Sequence, residues 1–395
     1  MSEVEVSKLR DACLINPRAK KRPSDDEAIS FLPMAAVNAE NGTTSEGEDR
    51  PFGEVKKGYT YFEDGDILFA KITPCFENGK IAQARIRRRF GVGSTEFHVI
   101  RPDRARASAR YILHFLRQQR IRELGERRMT GSGGQRRVPE AFVADLEIRL
   151  PEVEEQRRIA EVLDRADELR ATHIESLSRL DELTQSTFLD MFGDLTRNPL
   201  GWPVEGVETV CCLIVDCVNR TAPTVDNPTP FKMIRTSNVR AGKVSLENCR
   251  YVTEEVFRRW NRRATPRRGD VVLTREAPVG ESGILDSNES VFLGQRLMLY
   301  RVDPQKATPE YFSACFRSSF LRRQFLRGGS GSTVKHLSLP ACRSLEIPVP
   351  PIHLQREFSR RVQFLEKLKV DRLSALRALD ELFASLQDRA FRGEL

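Results

Sequence analysis

Near the end of the chain, apolar residues return at alternating steps of three and four: Val362, Leu365, Leu376, Leu379, Phe383 and Leu386, with Lys369 and Arg372 standing in the same frame. The same register runs 199 residues earlier through Leu163, Ala166, Leu177 and Leu180, where Arg170 and His173 take the polar positions. Leu169 and Ile174, matched by Leu368 and Leu373, flank the polar gap. A heptad-like seam of this kind predicts two long amphipathic helices that pack together. Neither Gly nor Pro interrupts residues 152–191 or 352–391, and each stretch follows a Pro-rich strand end, "EIRLPEVEEQRR" or "EIPVPPIHLQRE". Proline marks a helix start, and the acidic "PEVEE" suits the positive end of a helix dipole.

Ahead of each seam the period changes. "GDILFAKI", "STEFHVI", "GDVVLTR" and "GQRLMLYRV" are short apolar or alternating runs between Gly, Pro and Asn turns, which reads as strands. A helical stretch follows each set, "ARYILHFLRQQRIREL" and "PEYFSACFRSSFLRRQFL", and then a Gly/Ser loop, "MTGSGGQRRVPEAF" and "RGGSGSTVKHLSLPAC". The pattern predicts α+β architecture.

The two halves are one unit written twice. "LDEL" occurs at 180–183 and at 379–382. At the same offset of 199, Gln156-Arg157 matches Gln355-Arg356, Pro151 matches Pro350, and Ala12-Cys13-Leu14-Ile15 lines up with Cys211-Cys212-Leu213-Ile214. Between these anchors the offset drifts, to 200 at Tyr111 and Tyr311 and to 204 for "GDILFAK" against "GDVVLTR". Loop insertions produce such drift, and chance matches do not hold one offset at both ends of a unit. The frame repeats while the residues between its anchors differ.

Composition adds little that contradicts this. The chain has 395 residues, 30% charged and 39% hydrophobic, with net charge +8. That is globular, of a size for two or three domains, with a mild bias toward a polyanionic partner. No apolar run approaches a membrane span, and the start lacks the pattern of a signal peptide. The eight cysteines form no CxxC pairs beside histidines, so they read as free thiols of a reducing cytoplasm, with no metal site.

Candidate readers of an anionic partner cluster in the loops. In the first copy Lys71, Thr73, Asn78 and Lys80 lie in "AKITPCFENGK", and Ser132, Gln135, Arg136 and Arg137 in "SGGQRR". Asn and Gln can pair bidentately with adenine, and Lys and Arg reach guanine or phosphate. "ARIRRRF" suits a solvated hairpin equally well. In the second copy Arg235, Thr236, Asn238 and Arg240 lie in "MIRTSNVRAGK", Thr274 and Arg275 in "LTREAPVG", Gln295 and Arg296 in "GQR", and Ser332, Thr333, Lys335 and His336 in "GSGSTVKHL". Glu276 or Glu281 is an internal ion-pair partner open to Arg275 and Arg296. Outside the helix seam, Val162 and Phe188 offer a patch for a protein partner or for the chain's own domains. No phosphate loop, dinucleotide fingerprint, HExxH or Asn/Asp-Pro-Pro-aromatic stretch is present, and "PSD" with "EVK" is too short to carry a nuclease assignment.

Together these segments resemble the specificity subunit of type I restriction–modification systems. "GDILFAKITPCFENGKIA", "GSTEFHVIRP" and "GSGGQRRVPEAF…IRLPEVEEQRRIAEVLDRAD" are similar to a first target-recognition domain and a central conserved helix. "MIRTSNVRAGK", "GDVVLTREAPVGESGI", "LGQRLMLYR" and "GSTVKHLSLPACRSLEIPVPP" are similar to a second domain of another subtype. The resemblance implies two mixed α/β target-recognition domains, 1–150 and 199–349, separated by two conserved helices, 151–198 and 350–395, packed as an antiparallel coiled coil with pseudo-two-fold symmetry. It implies a cytoplasmic, non-catalytic chain that reads a bipartite, asymmetric site on double-stranded DNA. Two methyltransferase subunits dock on it and a restriction subunit can join, with S-adenosylmethionine, ATP and Mg²⁺ on those partners and no cofactor on this chain. A helix of about 35 residues spans roughly 50 Å, against roughly 34–36 Å per DNA turn, which suits a spacer between half-sites. The competing readings are a coiled-coil adaptor that scaffolds partners without reading bases, and a self-sufficient nuclease or methyltransferase.

Overall fold

In a computed structural model, residues 6–19, 23–218, 220–276, 278–328 and 336–395 are described. They form two compact units, residues 1–177 with 371–395, and residues 178–370. No helix among them is long and apolar enough to cross a membrane.

The first unit holds an antiparallel sheet in the order Cys13–Ile15, Phe97–Pro102, Ile67–Ala70, Ile81–Gln83. "ILFA" is an unbroken apolar run because both its faces are covered. Ile67 and Phe69 pack with Tyr111, Ile112 and Phe115 of the helix Ala109–Leu116, and Leu68 and Ala70 pack with Phe62, Phe97 and Val99. A second sheet orders Glu48–Pro51, Ala28–Leu32, Phe90–Gly93, Thr60–Glu63, with one parallel pairing, Phe90–Gly93 on Ala28–Leu32. The second unit repeats the first sheet's core as Cys211–Asp216, Leu297–Val302, Val271–Thr274 and Ser282–Ile284. It extends that sheet by Gly242–Val244 and Val239–Arg240.

The predicted helices run Val153–Phe192 and Ile352–Arg392. In the first unit, the start of the former lies against the end of the latter, where Ile159, Ala160 and Leu163 share a core with Phe383, Leu386 and Phe391. In the second unit, the end of the former meets the start of the latter, with Phe188 and Phe192 against Phe358. Each pairing is antiparallel. Phe188 is therefore not a partner patch: it is buried against Tyr311 and Phe358 of its own unit. Val162 is half-buried.

The duplication is legible bond by bond. Gln156 is fully buried; its Oε1 accepts from Ser108 N at 2.9 Å and its Nε2 donates to Arg106 O at 2.9 Å and Pro151 O at 2.8 Å. Gln355 does the same with Thr308 N, Lys306 O and Pro350 O at 3.1, 3.0 and 2.8 Å. A buried amide so satisfied ties strand end, loop and long helix together. Tyr111 Oη donates to Arg149 O, and Tyr311 Oη to Pro348 O. Buried Asp66 and Asp270 take a forked pair from Arg101 and Arg301, at 2.7 to 2.8 Å. The preceding Gly65 and Gly269 turn at φ 88° and 90°, which side chains resist.

One alignment shifts. Leu14 and Leu213 face the equivalent residues Arg101 and Arg301, but Pro102 and Val302 face Cys13 and Cys211. Cys212 is the extra residue of a β-bulge, so the first anchor's offset is 198 before it and 199 after it.

Candidate nucleic-acid interface

Two loops meet in the first unit. Val138 N donates to Lys71 O at 2.8 Å, Thr73 N donates to Arg136 O at 3.0 Å, and Ile72 bridges Arg137. Thr130 and Arg137 close the Gly/Ser loop by two backbone bonds, at 3.0 and 2.8 Å. Its tip, Gly133 and Gly134, lies at positive φ in open space. A Cβ on Gly131 would stand 2.6 Å from Gln135 O, so that position needs glycine.

The side chains divide. Ser132, Gln135 and Asn78 are exposed, and no side-chain bond is made by them or by half-buried Lys71 among the described residues. Arg136 is exposed, 3.6 Å from Glu77. Thr73 Oγ1 donates to Glu77 at 2.8 Å, and Lys80 Nζ to Met34 O at 2.9 Å. Arg137 forks onto Glu96 at 2.9 and 2.8 Å, and that hydrogen bonding holds the Glu96 carboxyl below its ordinary range. Behind the loop, buried His98 donates from Nε2 to Val138 O at 2.9 Å and accepts at Nδ1 from Asn16 Nδ2 at 3.1 Å. Burial lowers its pKa, which suits this neutral tautomer. Arg87 and Arg88 of "ARIRRRF" pair with Glu46 and Asp49, as a solvated hairpin does.

The second unit uses the same backbone frame. Arg275 N donates to Arg296 O at 2.8 Å as Lys71 N does to Glu96 O at 2.9 Å; Leu337 N donates to Arg275 O at 3.0 Å as Val138 N does to Lys71 O. The side chains on this frame are exchanged. Glu276 is ion-paired with Arg296 Nε at 2.9 Å and accepts from His336 Nδ1 at 2.6 Å, and His336 Nε2 accepts from Arg275 Nη2 at 3.2 Å. Arg275 Nε also donates to Leu337 O at 2.8 Å. Arg296 is held at φ 69°. Gln295 Oε1 accepts from Thr221 Oγ1 at 3.4 Å.

Some candidates turn inward. Thr274 is fully buried, donating to Pro278 O at 2.5 Å and accepting from Glu281 N at 3.0 Å. Asn238 is buried, accepting from Arg235 N at 2.9 Å and donating to Glu247 O at 3.1 Å. Arg235 reaches Asn248 O at 3.2 Å, and Arg240 reaches Thr236 O at 3.1 Å and Val239 O at 2.8 Å. Thr236 is half-buried. Ser332, Thr333 and Lys335 lie outside the described residues. Glu276 is the internal ion-pair partner expected for Arg296, whereas Glu96, His98 and Asn16, which hold the first unit's loop, were not among the candidates. Nothing local in "STEFHVI" distinguishes a clamp from a strand residue.

The sequence profile of the type I restriction modification DNA specificity domain matches residues 1–185. The type I restriction enzyme EcoEI specificity subunit of Escherichia coli is 38% identical over 183 residues, 45% of this chain and 31% of that protein. The EcoAI specificity subunit of Escherichia coli is 38% identical over 188 residues, 47% of this chain and 30% of that protein. The matched stretch is thus under a third of the length of these relatives. Two solved chains share the fold over 99% of this chain. One, from a structure of the assembly and conformational transition of the type I R-M system, has TM-score 0.59 and 20% identity over 98% of its length. The other, a type I restriction–modification S subunit from M. genitalium, has TM-score 0.56 and 12% identity over 97%. Residues 1–185 of this chain thus match the type I restriction modification DNA specificity domain, and the chain shares its fold with these two solved structures along its length.

Proposed function

We propose that the chain is the DNA-reading, non-catalytic subunit of a type I restriction–modification complex, each unit reading one half of a bipartite, asymmetric duplex site. The observation that carries this is the exchanged side chains on one frame. Equivalent backbone bonds present Lys71, Glu96 and Arg137 in one unit and Arg275, Arg296 and His336 in the other. A fixed scaffold with different donors and acceptors is what two unlike base sequences require. An adaptor that scaffolds proteins has no use for that divergence.

In this reading the target-recognition domains are residues 1–150 and 199–349, joined by conserved helices 151–198 and 350–395. Methyltransferase subunits dock along the helices, and S-adenosylmethionine, with any ATP and Mg²⁺ used by a restriction subunit, resides on those partners. Exposed apolar residues on the helices support docking: Leu169, Ile174, Leu373 and Leu382 in the first unit, Leu183, Leu189, Phe364 and Val370 in the second. The test is a genome-wide N6-methyladenine map of cells expressing this chain with its neighbouring methyltransferase. A new split motif with two unlike halves around a fixed gap is expected. A stable complex of the two proteins with no new motif sinks the reading.

A further inference from the structure

The strand Glu147–Arg149 pairs with Val6–Lys8, Ser7 lying opposite Ile148. Leu9 N donates to Leu146 O at 2.9 Å. By the alternation of antiparallel pairs, the carbonyl of Leu146 and the backbone groups of Ile148 face that partner, and Glu147 aims its N–H and C=O the other way. The second unit is built alike: Glu346–Pro348 pairs with Val204–Gly206, and Val207 N donates to Leu345 O at 2.8 Å. There the outward backbone of Glu346 is closed by one side chain. Gln324 Nε2 donates to Glu346 O at 2.8 Å, and Glu346 N donates to Gln324 Oε1 at 2.9 Å. One step on, Pro348 has no N–H to leave open.

The first unit lacks both devices. Gln324 is replaced, 200 residues earlier, by Leu124, which is 42% exposed. Pro348 is replaced by Arg149. The outward N–H and C=O of Glu147 have no partner among the described residues. This bare edge walls a cleft of about 770 Å³. Across it the helix Gln119–Arg128 presents Arg120, Leu124 and Arg128, one face at spacings of four. Neither arginine makes an ion pair or hydrogen bond among the described residues. Asp145, also in the cleft, is already taken by Lys8 at 3.0 Å and Arg10 at 2.8 Å.

We propose that this cleft docks an extended acidic–apolar peptide segment of another protein, whose backbone pairs with Glu147 as the Gln324 carboxamide pairs with Glu346. A carboxamide carries the donor and acceptor of a peptide group, so the second unit contains a copy of what the first unit's edge would bind. An open strand edge is a template for strand addition. The unpaired arginines select acidic side chains, and Leu124 with Phe142 and Phe391 takes the apolar ones. This docking is independent of the DNA-reading proposal.

The test uses the full chain and a fluorescein-labelled peptide, Asp-Val-Glu-Ile-Asp-Val-Glu with blocked ends, followed by anisotropy and by hydrogen exchange at the Glu147 amide. Saturable binding is expected, with protection of that amide. Leu124→Gln supplies the missing carboxamide. It should slow Glu147 exchange with no peptide present and weaken peptide binding about tenfold or more, the equivalent of roughly 1.4 kcal/mol. The same peptide with N-methylated backbone should not bind. The proposal is overturned by no binding up to about 1 mM, which is weaker than about −4.1 kcal/mol. Unchanged Glu147 exchange in Leu124→Gln also overturns it, as does equal binding of the N-methylated peptide or of an oligothymidylate, because charge alone would then account for the affinity.

Discussion

At the scale of single residues, the interior is fixed by polar groups with one correct partner each. His114 is fully buried; its Nε2 lies 2.7 Å from Asp164 Oδ1, and its Nδ1 has no hydrogen-bond partner among the described residues. A neutral ring with the proton on Nε2 satisfies this site, whereas a second proton would leave an N–H stranded in the core. Burial accordingly lowers its pKa, with Arg110 and Arg117 adding to the effect, although Asp164 pulls the other way. Lowered native pKa means the unfolded chain takes up a proton, near pH 6.5, that the native chain refuses. Stability is therefore full above that pH and is lost as pH falls toward the native pKa. His98 behaves alike, its pKa lowered chiefly by burial. His114→Gln keeps a donor for Asp164 and removes one titration. Between pH 6.5 and 5, the slope of unfolding free energy in urea should flatten by up to about 1.4 kcal/mol per pH unit. An unaltered slope would assign the pH dependence to His98 or elsewhere.

At the scale of elements, the repeated "LDEL" acquires a physical meaning. Its two aspartates each reach the cation of the opposing long helix. Asp380 accepts from Arg170 at 2.7 Å in the first unit, and Asp181 accepts from Lys369 at 2.6 Å in the second. Asp167 and Glu366, also 199 apart, complete the triads at 2.8 and 3.0 Å. The polar break in the seam is thus an interhelical ion pair present in both units. Lys369 is nearly buried while Asp181 is 74% exposed at its side chain. Burial alone would lower the Lys369 pKa, yet Asp181 and Glu366 hold it above its ordinary value. Removing an acid from a buried cation costs more than removing the cation. Asp181→Asn should destabilise the second unit by about 1–2 kcal/mol, Lys369→Met by less, and the double variant should recover most of the loss. Strictly additive losses in chemical denaturation would mean that the pair is not coupled. The sequence carried the register, the polar break and the repeated aspartates because all three are local or periodic. It did not carry who pairs with whom, since Arg170 and Asp380 lie 210 residues apart. Nor did it separate Thr274 and Asn238, which close their own turns, from Asn78 and Gln135, which face solvent. All four are uncharged polar residues in strand–loop segments, and only the folded loop decides which way the side chain turns.

At the scale of the whole chain, duplication followed by divergence separates what must be kept from what is free to change. The buried amides Gln156 and Gln355, the forked Asp–Arg pairs and the tyrosine hydroxyls repeat with the same partners. Altering one of them disturbs folding of its unit. The exposed loop groups repeat in position and not in identity, so altering one changes what a unit recognises and leaves its fold intact. If each unit reads its own half-site, a change confined to one loop set has a consequence confined to one half-site. Asn78→Ala and Gln135→Ala each remove a bidentate donor–acceptor from an exposed position whose side chain has no hydrogen-bond partner among the described residues. Neither should shift the unfolding midpoint measurably. Each should relax base preference at one position of one half-site, by about 1–3 kcal/mol of discrimination, with the other half-site and the gap unchanged in the methylation map. Arg136→Ala, at a cation whose nearest acid is 3.6 Å away, should instead weaken binding across sequences and lower the salt dependence by about one ion. Equal relaxation of both halves by Gln135→Ala would dissolve the link between unit and half-site, and with it the reason for two different faces on one frame.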